Sequence, residues 1–391
     1  MTWNWQRPDW PRFRYGLRGL EPELLTFAQR SGELQGAWRV LPEEARDEAL
    51  VDTMIAEAVQ SSAIEGEFLD RQDVMSSIRN HLGLNAAPVR IRDRASGGAG
   101  QLEVEVRRAW RRPLTATTLF AWHRLLLGGS RGIKIGAWRT DPSPMQVVSG
   151  RADRPVVHFE APPARHVPRE MKKFLFWFNG TAREIAHAPV RAAVAHLYFE
   201  SIHPFDDGNG RIGRAIAEKA LAQALGRPAL LSLSRGIEAS KKAYYRALET
   251  AQRSGDEITD WVTWFTRLAL DAQEAARGDI DFILAKARFF DRWKDHLGER
   301  QKRVVRRMLA AGREGFEGGM NARKYIALTK TSKATATRDL QALVELGVLR
   351  PVGLGRAARY ELVLPAETGV GQQRDVGMTP DIATINRPAA D

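Results

Sequence analysis

The chain of 391 residues contains no cysteine. That excludes disulfides and thiolate metal sites and fits a reducing compartment, so a cytoplasmic location is expected. Its 8 histidines are scattered, and none has the His-x-x-x-His spacing of paired metal ligands. No run approaches the ~20 apolar residues of a membrane span, so no membrane contact is expected. The first residues, Met1 to Pro8, lack the apolar stretch of a secretion signal. No internal repeat is visible. What the chain has in excess is positive charge: a formal net charge of +12 points to polyanionic ligands or nucleic acid.

The most informative stretch runs His203-Pro204-Phe205-Asp206-Asp207-Gly208-Asn209-Gly210-Arg211-Ile212-Gly213-Arg214. The segment before it, Pro189 to Ser201, reads as a helix, with proline in its first turn and Val190, Val194, Leu197 and Tyr198 at helical spacing. The segment after it, from about Arg211 to Leu225, is a second helix with Ile212, Ile216, Ala220 and Leu221 on its apolar face and Gly226-Arg227-Pro228 as its stop. Gly208-Asn209-Gly210 therefore opens a helix, where backbone N–H groups are unpaired and the dipole is positive. Glycine lets that backbone approach an anion, so the turn suits phosphate. Arg211 and Arg214, three apart, suit a polyphosphate. Asp207 beside them would repel phosphate without a cation between, which calls for magnesium. Neutral His203 can take a proton from an attacking hydroxyl. Phe205 reads as a structural anchor for the loop.

These residues resemble the Fic family signature, His-x-Phe-x-Asp/Glu-Gly-Asn-Gly-Arg-x-x-Arg, with every defining position filled. The resemblance implies transfer of AMP from ATP to a hydroxyl of a target protein. It makes His203 the general base, Asp207 the Mg2+ ligand, Gly208, Asn209 and Gly210 the anion hole, and Arg211 and Arg214 the holders of the outer phosphates. It also implies an all-helical core with a β-hairpin flap; with a helical N-terminal segment and a C-terminal winged helix-turn-helix, the expected fold class is mainly α.

Residues 45 to 65 read as an amphipathic helix capped by Gly66. Glu65 then lies in its last turn, where the dipole disfavours an anion by up to roughly 1 kcal/mol. Arg214 is the natural partner. Ser61-x-x-x-Glu65-Gly66 resembles the inhibitory motif of Fic proteins, which implies that Ser61, Glu65 and Gly66 block productive seating of the ATP γ-phosphate. Trp3, Trp5, Asp9 and Trp10 resemble the small N-terminal domain often fused to such proteins, the aromatics being packing anchors. Short β-prone pieces, Val147-Val148 and Val156-Val157, make a hairpin within 134–160; by resemblance, the flap around 136–160 docks the target protein by strand addition. Tyr244 and Tyr245 fall where relatives place aromatics near adenine.

The expected domains are 1–90, ending at the glycine-rich stretch Pro88 to Gly100; a core at 100–275; a helical connector at 279–297; a basic module at 298–364; and a disordered tail at 365–391. The module holds 14 basic and 6 acidic residues. It reads as helices Arg300–Ala311, Asn321–Leu328 and Ser332–Leu346, then strands at 348–352 and 359–362. This order resembles a winged helix, with Lys333, Thr335 and Arg338 on the recognition helix and Arg356 in the wing as candidate contacts to duplex DNA. Two alternatives to an autoinhibited adenylyltransferase stay open. One is a nucleotide-sensing DNA-binding regulator. The other is an enzyme that removes AMP or transfers another phosphate-bearing group. A homodimer is compatible with each.

Overall fold

The computed structural model describes residues 2–151, 154–313, 315–353 and 359–364. The chain is mainly helical and divides into two units, Met1–Leu284 and Ala285–Asp391. In the first, α1 (Glu21–Arg39), α2 (Glu43–Ile64), α3 (Arg71–Leu82), α4 (Arg94–Arg108) and α5 (Ala116–Leu127) precede a hairpin of β1 (Gln146–Arg151) and β2 (Arg154–Glu160). Helices α6 (Val167–Gly180), α7 (Ala188–Ile202), α8 (Asn209–Leu225), α9 (Leu233–Ala239), α10 (Lys241–Arg253) and α11 (Thr259–Trp293) follow. The second unit continues with α12 (Glu299–Leu309), α13 (Ala322–Thr329), α14 (Lys333–Glu345), β3 (Leu349–Val352) and β4 (Arg359–Leu362).

Helix α7 is the centre of the first unit. Every residue from Ala188 to Ile202 is buried, so this helix has no solvent face. Two of its polar residues are held from neighbouring elements. Arg191 donates to the carbonyls of Ala220 (3.0 Å) and Phe178 (2.7 Å), and Ser201 accepts from Asn4 (2.8 Å). Helix α8 packs along α7 and buries nearly its whole length to Ala222. Helix α2 buries Val51, Met54, Ile55, Ala58 and Ile64 and rests on α3, α4, α8 and α9.

The glycines expected to mark a boundary lie inside α4. A side chain at Gly98 would collide with the Leu125 carbonyl, and one at Gly100 would come within 2.9 Å of the Val74 carbonyl. These glycines allow α4 to pack closely on α5 and α3, and outweigh the helix penalty of the residue type. The first 90 residues thus share a unit with the core. Trp3 packs edge-on against Phe159 of β2 at 5.3 Å, and Trp5 donates to the Glu160 carbonyl at 2.6 Å. Most of the expected connector 279–297 is the end of α11.

In the second unit, Asn321 and Ser332 cap α13 and α14 by accepting from Lys324 N–H (2.9 Å) and Thr335 N–H (3.2 Å). Val304, Met308, Tyr325, Leu340 and Leu343 form its interior. The hairpin pairs Leu349 with Leu362 and Val352 with Arg359. Arg356 and the expected tail 365–391 lie outside the described residues. No helix among the described residues is long and apolar enough to cross a membrane.

Candidate active site

The loop from His203 to Gly208 joins the two most buried helices. α7 stops at His203, whose φ of 50° is left-handed, unusual for a side-chain-bearing residue. Its N–H donates to Phe199 O at 3.0 Å, and its carbonyl accepts from the buried Arg139 Nε at 2.8 Å. The strained residue is therefore fixed from both sides. Phe205 is fully buried, stacks on His123 with ring centroids 4.2 Å apart, and packs against Trp138. The Asn209 side chain bridges both backbone groups of Phe205 at 2.9 Å. His123 Nδ1 accepts from Gly136 N–H, so its Nε2 donates to the Asp207 carbonyl at 3.1 Å.

Gly208, with φ of 78°, turns the chain into α8 and sets up the cradle. Glu65 fills the space beside that cradle: a Cβ on Gly210 would collide with Glu65 Oε1. Arg214 donates through Nη2 to Glu65 Oε1 (2.8 Å) and Ser61 O (2.7 Å), and through Nε to Ser61 Oγ (2.9 Å). Burial opposes the Arg214 charge, yet Glu65 beside it raises its pKa above the ordinary value. Arg211 is also occupied: Nη1 donates to Glu67 Oε2 at 2.5 Å, and Nη2 lies 3.4 Å from Asp207 Oδ1. Gly66, with φ of 82°, turns the chain between the two glutamates. Lys241 Nζ and Tyr245 OH donate to the Ala63 and Ile64 carbonyls at 3.2 Å, serving the open end of α2.

The Asp207 side chain is 53 % exposed. Its Oδ1 accepts from Gly208 N–H at 2.5 Å, and no hydrogen bond involves Oδ2 among the described residues. One carboxylate oxygen without a hydrogen bond, beside the N-terminus of α8, fits an ion such as Mg2+, which binds one or two carboxylates together with phosphate oxygens. No group of three or more His, Asp or Glu that could hold a metal unaided occurs among the described residues. Behind His203, the buried Glu200 places Oε2 3.6 Å from His203 Nδ1.

Thus His203, Asp207, Gly208, Asn209, Gly210, Arg211 and Arg214 come together with Ser61, Glu65 and Gly66. Tyr244 and Tyr245, with ring centroids 5.0 Å apart, flank this cluster with their rings turned in different directions. Tyr244 is 1 % exposed, bonds His196 at 2.9 Å and packs on Trp261 and Trp264 in the core. Tyr245 reaches the end of α2. On α14, Lys333 and Arg338 are exposed and Thr335 half-buried. Sequence reasoning missed Glu67, His123, Arg139 and Glu200. Of these, only Glu67, next to Gly66, and Glu200, one turn before His203, carried a positional signal.

Residues 113–221 match the model of the Fic/DOC family, and residues 3–84 match a domain of unknown function, DUF4172. The chain is 29% identical over 129 residues to the protein adenylyltransferase fic-1 of Caenorhabditis elegans, covering 33% of this chain and 22% of that protein. It is 30% identical over 112 residues to the protein adenylyltransferase Fic of Nematostella vectensis, covering 28% and 23%. The matched segment thus spans less than a quarter of those relatives. Among solved structures, a Fic family protein from Desulfovibrio desulfuricans aligns with a TM-score of 0.50 and 23% identity, over 93% of this chain and 99% of that one. This likeness supports the fold. Residues 113–221 are a Fic/DOC domain.

Proposed function

We propose that the protein is an autoinhibited, cytoplasmic protein adenylyltransferase that moves AMP from ATP to a hydroxyl side chain of a target protein. The α8 backbone at Gly208, Asn209 and Gly210, with Arg211 and Arg214, would receive the ATP phosphates, and Asp207 would hold Mg2+, which neutralises phosphate charge when bound. The target oxygen bonds to the α-phosphorus, its proton passes to His203, and the bond to pyrophosphate breaks. The adenylyltransferase names of the two relatives support this chemistry. The observation that carries inhibition is the Glu65 carboxylate on Arg214 and against Gly210. The target docks on the segment 136–160, where the two-stranded sheet leaves outer edges for strand addition.

The exposed Lys333 and Arg338 on α14 favour a second element of the reading, a winged helix that binds duplex DNA. A nucleotide-sensing role for the core would require His203 to be dispensable, since sensing needs no base. The deciding experiment incubates wild type and Glu65→Gly with labelled ATP and magnesium and looks for label on protein. Strong labelling by the variant supports the adenylyltransferase. Absence of labelling with ATP but labelling with another nucleotide favours transfer of a different phosphate-bearing group. Release of AMP from modified protein favours removal.

A further inference from the structure

Glu200 has no ordinary structural explanation. It lies in the buried α7 and is 4 % exposed. Its Oε1 is buried without a hydrogen-bond partner, and so is His203 Nδ1. An unpaired buried carboxylate is costly, so its presence calls for a partner. Space is made for it from the opposite helix: a Cβ at Gly213 would collide with Glu200 Oε1 and come within 3.2 Å of the His196 ring. Resting on the transfer reading, we infer that Glu200 is the positioning residue of His203, receiving the imidazole Nδ1–H and leaving Nε2 to take the proton of the target hydroxyl.

The spacing permits it. Glu200 and His203 are three residues apart at the end of one helix, with Oε2 and Nδ1 at 3.6 Å. That is an ion-pair distance just beyond a hydrogen bond, and such bonds often tighten only when substrate is bound. Burial opposes charge on Glu200, but His203, followed by His196 and Arg214, holds its carboxyl below the usual range. His196, Tyr244, Tyr245 and Arg214 also face the pair. Burial lowers His196 toward neutrality, and burial raises Tyr244 and Tyr245, keeping both phenols protonated. Arg214 is bound to Glu65. When His203 gains the hydroxyl proton, the imidazolium forms beside an anion already in place.

Two measurements without ATP test the pair. In wild type, nitrogen-15 NMR of His203, assigned by loss of its signal in His203→Ala, should show the neutral ring protonated at Nδ1. In Glu200→Gln, the His203 titration midpoint should fall, because a stabiliser of the protonated ring is gone. In a Glu65→Gly background, Glu200→Gln should lower kcat by roughly 10- to 10²-fold, short of the 10²–10⁴-fold cost of losing a base. KM for ATP should stay constant, and the acidic limb of the rate profile should move to lower pH. A ring protonated at Nε2 in wild type overturns the inference even if Glu200→Gln does not fold. An unchanged midpoint in a folded variant also overturns it. Failure of labelling in every variant would instead strike the transfer reading, since tautomer and midpoint are read without nucleotide.

Discussion

Arg214 and Glu65 lie 149 residues apart in the chain, yet Nη2 and Oε1 meet at 2.8 Å. The guanidinium is buried beneath the glutamate, while the glutamate side chain keeps a 31 % exposed edge. The pair places an internal anion where α8 would otherwise present its open end to phosphate.

Replacing Glu65 with glycine should therefore free Arg214 and activate transfer, by reorienting ATP for in-line attack. Labelling should be strong in Glu65→Gly and weak in wild type. Adding Arg214→Ala to the active variant should remove the gain. A folded Glu65→Gly with no more transfer than wild type, across several nucleotides, would sink the idea.

Glu67 should act as a weaker second restraint. Its side chain is 42 % exposed, so its pair with Arg211 is worth at most about 1 kcal/mol, or roughly a factor of 5 in affinity. Glu67→Gln should tighten ATP binding by up to that factor and leave transfer low, because Glu65 still holds Arg214. Calorimetric titration of the two single variants and the double variant measures this. No change of ATP affinity in any of them would exclude Glu67.

His203→Ala in the Glu65→Gly background should lose about 10²–10⁴-fold in transfer and retain ATP binding. The imidazole acts on the incoming hydroxyl, whereas the cradle and arginines supply affinity. Undiminished transfer would take His203 out of the base role.

Transfer should stop in excess chelator and return with magnesium or manganese, and Asp207→Ala should not be rescued at the same metal concentration. The argument is the free Asp207 oxygen beside the cradle. Full activity in chelator would contradict it.

The full chain should bind duplex DNA with affinity falling steeply as salt rises, since bound cations release counterions. Arg338→Ala should weaken binding. If no duplex binds even at low salt, the second unit would serve protein contacts instead.

Local chemistry was legible in the linear order of residues. Gly208-Asn209-Gly210 and the two arginines marked the start of α8, because an N-terminus and a three-residue spacing are properties of a single helix. Glu65 was visible as a charge misplaced on its own helix dipole. The helices expected from Asn321 and Ser332 begin one residue later, at Ala322 and Lys333, with those two residues as caps. Other features depended on which faces meet, and periodicity carries no record of that. Adjacent positions on a helix point about 100° apart, so Tyr244 entered the core while Tyr245 reached α2. Gly97 to Gly100 looked like a linker until close approach of α4 to its neighbours gave those glycines a helical use. Glu67 met Arg211 because Gly66 turns the chain at positive φ, and Glu200 met His203 because a left-handed residue ends α7. Composition and spacing named the groups that could do chemistry; packing chose the partner of each, because burial makes an unpaired charge too costly to leave alone.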